Sequence, residues 1–166
     1  MEAQALAIRV RERFPDTLVA RGEVTVTVAA ADLQPALRFL RDDPDLALGF
    51  LSGIAATDWP DREPRFWIAY HLWSMTHKHR ARVKVGLSGE EPRVPSVVSM
   101  FPTANWEERE VYDFFGVRFD GHPDLARIIM PDDWEGHPLR KDYGLGGVTT
   151  YYKGGAEIPP PDRRTY

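Results

Sequence analysis

Residues 66–87, FWIAYHLWSMTHKHRARVKVGL, decide the fold. Phe66 to Met75 and His79 to Leu87 read as two strands of a hairpin turning at Thr76-His77-Lys78. In the second strand Ala81, Val83, Val85 and Leu87 fall on one face and Arg80, Arg82 and Lys84 on the other, the period-two alternation of a sheet with one buried and one wet side. In the first strand His71 alternates with Trp67 and Trp73, which makes it a half-buried packing residue. His77 falls in the turn and reads as solvated.

Working upstream, residues 58–64 are rich in turn formers and form a polar loop. Leu46 to Asp58 reads as a further strand, bent by Gly49 and Gly53. Asp32 is placed to cap a helix to about Arg41 that buries Leu33, Ala36, Leu37 and Leu40, with Pro35 tolerated in its first turn. Leu18 to Ala20 and Val24 to Ala29 are strands joined at Arg21-Gly22-Glu23. Ala3 to Phe14 reads as an amphipathic helix with Ala5, Ile8 and Phe14 turned inward, ending at Pro15. The predicted fold is therefore α+β: a two-layer sandwich of a mixed sheet of about five strands with helices on one face. An extended, irregular C-terminal segment completes it.

The 166 residues fit one domain. Residues 1–87 form the α/β scaffold, 88–143 a helix and docking segment packed on it, and 144–166 a Gly/Pro-rich tail that carries Tyr151 and Tyr152. Such a tail cannot build a core of its own. The formal net charge of -4 gives no basic footprint for nucleic acid. With no cysteine, disulfides, cysteine nucleophiles and thiolate-held iron–sulfur clusters are excluded from this chain. No N-terminal signal pattern and no apolar run of the ~20 residues that span a bilayer is read, so contact with a membrane is expected only through a partner.

Downstream, residues 88–95 read as a surface loop, and Pro95-Ser96 opens a short helix through Met100 that Pro102 stops. A charged and aromatic stretch follows, NWEEREVYDFFGVRFDGHPDLARIIMPDDWEGHPLRKDY, residues 105–143. Asn105 and Glu108 have the spacing of a capping box, and Gly116 suits the helix stop. Val111, Phe114 and Phe115 face a core, while Trp106, Glu110 and Asp113 share another stripe that Arg109 reaches at i+4. Val117 to Phe119 lead out of the helix and Asp120-Gly121 turns. His122-Pro123 and His137-Pro138 are rigid, non-helical steps flanking the Ile128-Ile129-Met130 triplet and a turn at residues 131–134.

Several chemistries are open to these residues. His71, His77, His79, His122 and His137 with Asp113, Asp132 and Asp133 are ligand types, but none has the spacing of a metal motif. Glu110 and Asp113 form either an acid–base pair or ion pairs with Arg109, Arg127 or Arg140; many guanidinium groups and no evident nucleophile favour ion pairs. Residues 144–147 lack a phosphate-loop pattern. What remains is a surface suited to permanent docking, with Trp106, Trp134 and Tyr143 as anchors and Arg127 and Arg140 for carboxylate pairing.

YHLWS, RVKV, PSVVSMFPTANWEERE, EREVYDFFGV, GHPDL and MPDDWEGHPLRKDY occur in that order between residues 66 and 143. Together they resemble the 30-kilodalton subunit family of respiratory complex I, whose bacterial members are the C-type subunits of NADH-quinone oxidoreductases. The resemblance implies a non-catalytic subunit of the peripheral arm of a proton-translocating enzyme, at the cytoplasmic side of the inner membrane. Its chief partner would be the 49-kilodalton type that helps form the quinone site. FMN, iron–sulfur clusters and quinone would belong to partner subunits, with no cofactor, metal or catalytic residue here. It also implies an interface role for Glu108, Arg109, Glu110, Asp113, His122, Arg127, Asp132, Asp133, Trp134, His137, Arg140, Lys141, Asp142 and Tyr143. Ala126 stands where the family often has a basic residue, and Gly144 where proline is usual. The alternatives are the equivalent subunit of a membrane-bound hydrogenase or formate hydrogenlyase, and a stand-alone metal-dependent hydrolase.

Overall fold

The computed structural model describes residues 3–144; all of the C-terminal tail beyond Gly144 lies outside the described residues. Strands β1 (Leu18–Ala20), β2 (Glu23–Val28), β3 (Phe50–Asp58), β4 (Phe66–Ser74) and β5 (His79–Leu87) form one mixed sheet in the order β1-β2-β5-β4-β3. Neighbours are antiparallel except β2 and β5, which run parallel. The β4–β5 hairpin is in register from Phe66 opposite Leu87 to Ser74 opposite His79. Phe66, Ile68, Tyr70 and Leu72 therefore join Ala81, Val83, Val85 and Leu87 in the core, as the alternation predicts.

Helix α1 (Ala3–Arg11) and helix α2 (Leu33–Asp42) contribute to that same core. In α2 the predicted stripe is the buried one, though the Asp32 side chain makes no capping bond and a 3₁₀ turn at Ala30–Asp32 leads in. In α1 the predicted inward face is wrong at Ala5 and Ile8, which are exposed, Ile8 by 66 %, while Leu6, Ala7 and Val10 are buried; Phe14 does pack against the core. The helix also stops before Phe14, at Arg11, and its last turn closes with the Arg13 and Phe14 amides sharing the Val10 carbonyl. Each fully buried leucine removes apolar surface worth roughly 1.5–3 kcal/mol from water, so the choice of face is strongly determined.

Two further boundaries differ from the sequence reading. Strand β3 begins at Phe50, since the amides of Leu46 and Ala47 bond Asp43 and that of Leu48 bonds Leu40, wrapping residues 46–48 around the end of α2. Gly53 marks the expected irregularity, a register shift against β4. The stretch read as a loop contains β6 (Arg93–Pro95), which pairs in parallel with β7 (Arg118–Asp120). Residues 96–100 form a turn instead of a helix, with Met100 and Phe101 both bonded to Val97.

Helix α3 (Ala104–Phe115) packs against β3 and adds Ala104 and Val111 to the core, with Phe115 packed at its edge. It starts one residue before Asn105, so the capping box does not form: Asn105 lies inside the helix and the Thr103 side chain makes no cap bond. Gly116 does end it, at φ +72° with its amide on the Tyr112 carbonyl. The segment beyond β7 is irregular and wraps the end of α3.

Candidate functional site

An α-helix leaves its last four carbonyls without helical partners. In α3 each finds one. The Gly116 amide takes Tyr112 (2.8 Å) and the Leu139 amide takes Phe114 (3.1 Å). His137 Nδ1 donates to the Asp113 carbonyl (2.9 Å) and Arg140 Nε to Phe115 (2.6 Å). The second His-Pro step and the arginine after it thus close the helix end, where cationic groups also meet the negative end of the helix dipole. At Gly116 a Cβ would come within 2.5 Å of the His137 ring, so this approach requires glycine.

Asp113 is the centre of the arrangement. Its Oδ1 accepts from Arg127 Nη1 at 2.7 Å, and its Oδ2 from the amides of Ile128 (3.1 Å), Ile129 (2.8 Å) and Met130 (3.0 Å). Burial pushes this carboxyl up, but the amides and the guanidinium outweigh burial and hold it below the usual aspartate range. Arg127 continues to the Gly136 carbonyl at 2.8 Å. One ion pair therefore anchors residues 127–136 to the helix. Asp113 does not share an exposed stripe with Glu110: it is buried while Glu110 is exposed, so these two do not make an acid–base pair. Arg109 reaches the carbonyls of Ala126 (3.0 Å) and Arg127 instead of Asp113, and lies over the Trp106 ring.

A second anchor ties the segment to the sheet. Arg65 grips Asp58 through two bonds (2.7 and 2.9 Å), the Lys141 amide donates to Asp58 (2.8 Å), and Asp142 pairs with Arg65 (2.8 Å). Arg140 also stacks over Phe66. Asp58, Arg65 and Ser96 escape the sequence reading, because no local spacing links them to residues 105–143.

Glu108 forms a third buried site. It accepts from Ser96 Oγ and the Val97 amide, both at 2.7 Å, and burial raises its pKa to about 7 despite those bonds. His122 Nε2 lies 4.0 Å away. His122 Nδ1 accepts from the Asp124 amide (3.0 Å), which fixes the proton on Nε2, and Nε2–H donates to the Asn105 carbonyl (3.1 Å).

The remaining predicted residues face outward to different degrees. Asp132 and Asp133 are exposed, Trp134 is half-buried, and Tyr143 packs its ring against Gly136. Trp106, Ile129 and Leu139 are 63 %, 53 % and 47 % exposed. Phe115, Leu139 and Lys141 line, with Ala56, Trp59 and Pro60, a mainly apolar cleft of about 410 Å³. Two more histidines hold backbone, His79 the Leu46 carbonyl (2.7 Å) and His77, read as solvated, the Pro44 carbonyl (2.9 Å), while His71 is half-buried on the sheet as expected. Among the described residues no three His, Cys, Asp or Glu side chains gather to hold a metal ion. No helix among them is long and apolar enough to cross a membrane.

Comparison with known proteins identifies the family and the fold. The model of the respiratory-chain NADH dehydrogenase 30 kDa subunit matches residues 26–149. The chain is 47 % identical to the C-type subunit of the NADH-quinone oxidoreductase of Nocardioides sp., covering 99 % of this chain and 68 % of that protein. It is 49 % identical to the corresponding subunit of Saccharopolyspora erythraea, covering 96 % and 66 %. It thus spans about two thirds of the length of these relatives. Among solved structures, a trypsin-resistant fragment (1–134) of Nqo5 superposes with a TM-score of 0.62 at 28 % identity, over 74 % of this chain and 98 % of the fragment. A chain of the membrane-bound sulfane sulfur reductase, an archaeal respiratory membrane complex, does so with a TM-score of 0.74 at 28 % identity, over 86 % and 85 %. With the family model matching most of its length and these relatives nearly half identical to it, the chain belongs to the 30 kDa subunit family of the respiratory-chain NADH dehydrogenase.

Proposed function

We propose that this chain is a non-catalytic structural subunit in the peripheral arm of a proton-translocating NADH-quinone oxidoreductase, docked on the 49-kilodalton type subunit that helps form the quinone site. The observation that carries this reading is the use of the charged groups in residues 105–143. Asp113, Arg127, His137, Arg140 and Glu108 bind this chain's own backbone and side chains. They stiffen an outer surface on which Trp106, Ile129, Leu139, Asp132 and Asp133 stand exposed. Rigid aromatic and aliphatic side chains flanked by charge suit a permanent interface, because little side-chain freedom is lost on docking.

FMN, iron–sulfur clusters and quinone are assigned to the partner subunits, and electron transfer depends on this chain only through the positions it enforces. Its place is at the cytoplasmic side of the inner membrane, which it touches only through the complex. The likeness to the sulfane sulfur reductase chain supports a second reading, the same scaffold in a complex of the hydrogenase type with another electron donor.

The test is purification of the tagged chain from gently solubilised membranes of its native host. A flavin- and iron-bearing assembly that oxidises NADH with a quinone acceptor is the expected product, and Trp106→Glu should release the chain from it. Nickel without NADH oxidation would establish the second reading. Recovery of a lone chain carrying zinc or manganese would overturn both.

A further inference from the structure

The sheet has a second face, turned away from the core, and the pairing registers place its side chains in rows across the strands. Phe50, Trp73 and Arg80 form the first row, and His71, Arg82 and Thr25 the second. Ala55, Ala69, Lys84 and Thr27 form the third, and Thr57, Trp67 and Gly86 the fourth. The middle rows set the small residues Thr25, Thr27, Ala55 and Ala69 beside His71, Arg82 and Lys84. Phe50 and Trp73 stand 48 % and 39 % exposed at one end, and Trp67 lies at the other under the Lys84 ammonium, 4.5 Å from the ring centroid.

The charge on this face opposes that of the chain. Arg80, Arg82 and Lys84 project from alternate positions of β5, and Glu23, paired with Arg82 and 3.8 Å from Arg80, is the one carboxylate beside them among the described residues. A protein of net charge -4 thus gathers a line of cations on this sheet face. Alternate residues of a strand project about 6.7 Å apart, and carboxylates four residues apart on a helix rise about 6 Å, so a helix with an acidic stripe matches this line. A helix is also the element that covers an open sheet face in a two-layer packing.

We infer that this outer sheet face is a second interface, which receives an acidic helix of a neighbouring subunit along β5 between Trp73 and Trp67. A second copy of this chain would set the same cations against themselves. A nucleic acid would meet a predominantly acidic molecule around a single short basic line. The inference rests on the chain's place in an assembly but not on which partner holds residues 105–143, so the two can fail separately.

The experiment joins amines to carboxylates with a water-soluble carbodiimide in the intact purified assembly, and acetylates lysines in the assembly and in the full chain alone. Lys84 reports the sheet face, Lys141 the 105–143 surface, and Lys78 in the hairpin turn is the reference. Burial in an interface should slow Lys84 acetylation about tenfold or more relative to Lys78. The carbodiimide should link Lys84 to an Asp or Glu of another polypeptide, in a segment with acidic residues at helical spacing, and Arg80→Glu should abolish both effects. Equal Lys84 reactivity in chain and assembly, with Lys141 protected, overturns this interface and leaves the proposed docking standing. Equal reactivity at both lysines overturns both. Links from Lys84 only to a second copy, or protection removed by nuclease, would also overturn it.

Discussion

Glu108 in the first half of α3 and Asp113 in its last turn are both fully buried carboxylates, yet their surroundings treat them in opposite ways. Asp113 meets three amides and a guanidinium, a set that favours the charged form over its desolvation. Glu108 meets one amide and one hydroxyl, and desolvation prevails with a further push from Glu107. The contrast shows that burial alone does not set the state of a carboxylate; the count of donors aimed at it does. Around Asp113 the chain is irregular and its amides are free to turn inward. Around Glu108 the amides of β6, β7 and α3 are largely engaged in ladders and helix.

The largest break in that comparison is Asp113→Asn. The amide side chain cannot accept from four donors, and the half-buried Arg127 is left beside a neutral group. Removing one partner of a buried pair costs about 3–5 kcal/mol. Urea unfolding at pH 7 should show that loss, with residues 127–143 becoming protease-sensitive before the sheet does. In the native chain, the pair's contribution is fully present above the ordinary aspartate pKa and is lost as pH falls through the depressed folded value. A variant that loses less than about 1 kcal/mol would reduce the anchor to the weight of a surface ion pair.

Glu108→Gln sharpens the other half. The folded carboxyl holds its proton up to about pH 7, whereas an unfolded glutamate releases it near 4.3. The stabilisation is therefore complete below the unfolded pKa, declines as pH rises through the window to about 7, and stays level above it. Glutamine keeps the shape and an acceptor without the charge. Its stability should match that of the native chain near pH 4 and exceed it by up to about 3–4 kcal/mol at pH 8, at about 1.4 kcal/mol per pKa unit. Parallel stability curves from pH 5 to 8.5 would show that Glu108 ionises freely in the folded chain.

These two carboxylates also mark where the sequence stopped being readable. Strands β2, β4 and β5 and the buried stripe of α2 follow from periodicity, because apolar burial acts on each residue according to its own position. The Gly116 stop was readable for the same local reason. The α1 face was misread because Ala5 and Ile8 share a stripe as plausible as that of Leu6 and Val10, and only the sheet selects between them. Glu108 has the spacing of a capping box, but its partners are Ser96 and Val97 and the helix begins elsewhere. Asp58 and Arg65 hold Lys141 and Asp142 across more than seventy residues. No spacing rule reaches that far, so the charged types in residues 105–143 could be recognised while their partners could not.

The smallest expected effect tests how bare the Glu108 site is. Tyr70 lies on β4 with its ring fully buried, and its hydroxyl has no hydrogen-bond partner among the described residues. Desolvation, and secondarily Glu108, push its pKa well above the usual tyrosine value. Leaving a buried hydroxyl unbonded costs roughly 1–3 kcal/mol relative to water, and Tyr70→Phe removes that cost with almost no change in shape. The variant should equal or exceed the native chain in stability, by no more than about 1–2 kcal/mol. It should also leave the Asp113 anchor untouched, read as unchanged protease resistance of residues 127–143. A loss of stability instead, largest above pH 7 where Glu108 is charged, would mean that the hydroxyl donates to that carboxylate. Glu108 would then have a third donor, and the contrast between the two halves of α3 would shrink to the guanidinium alone.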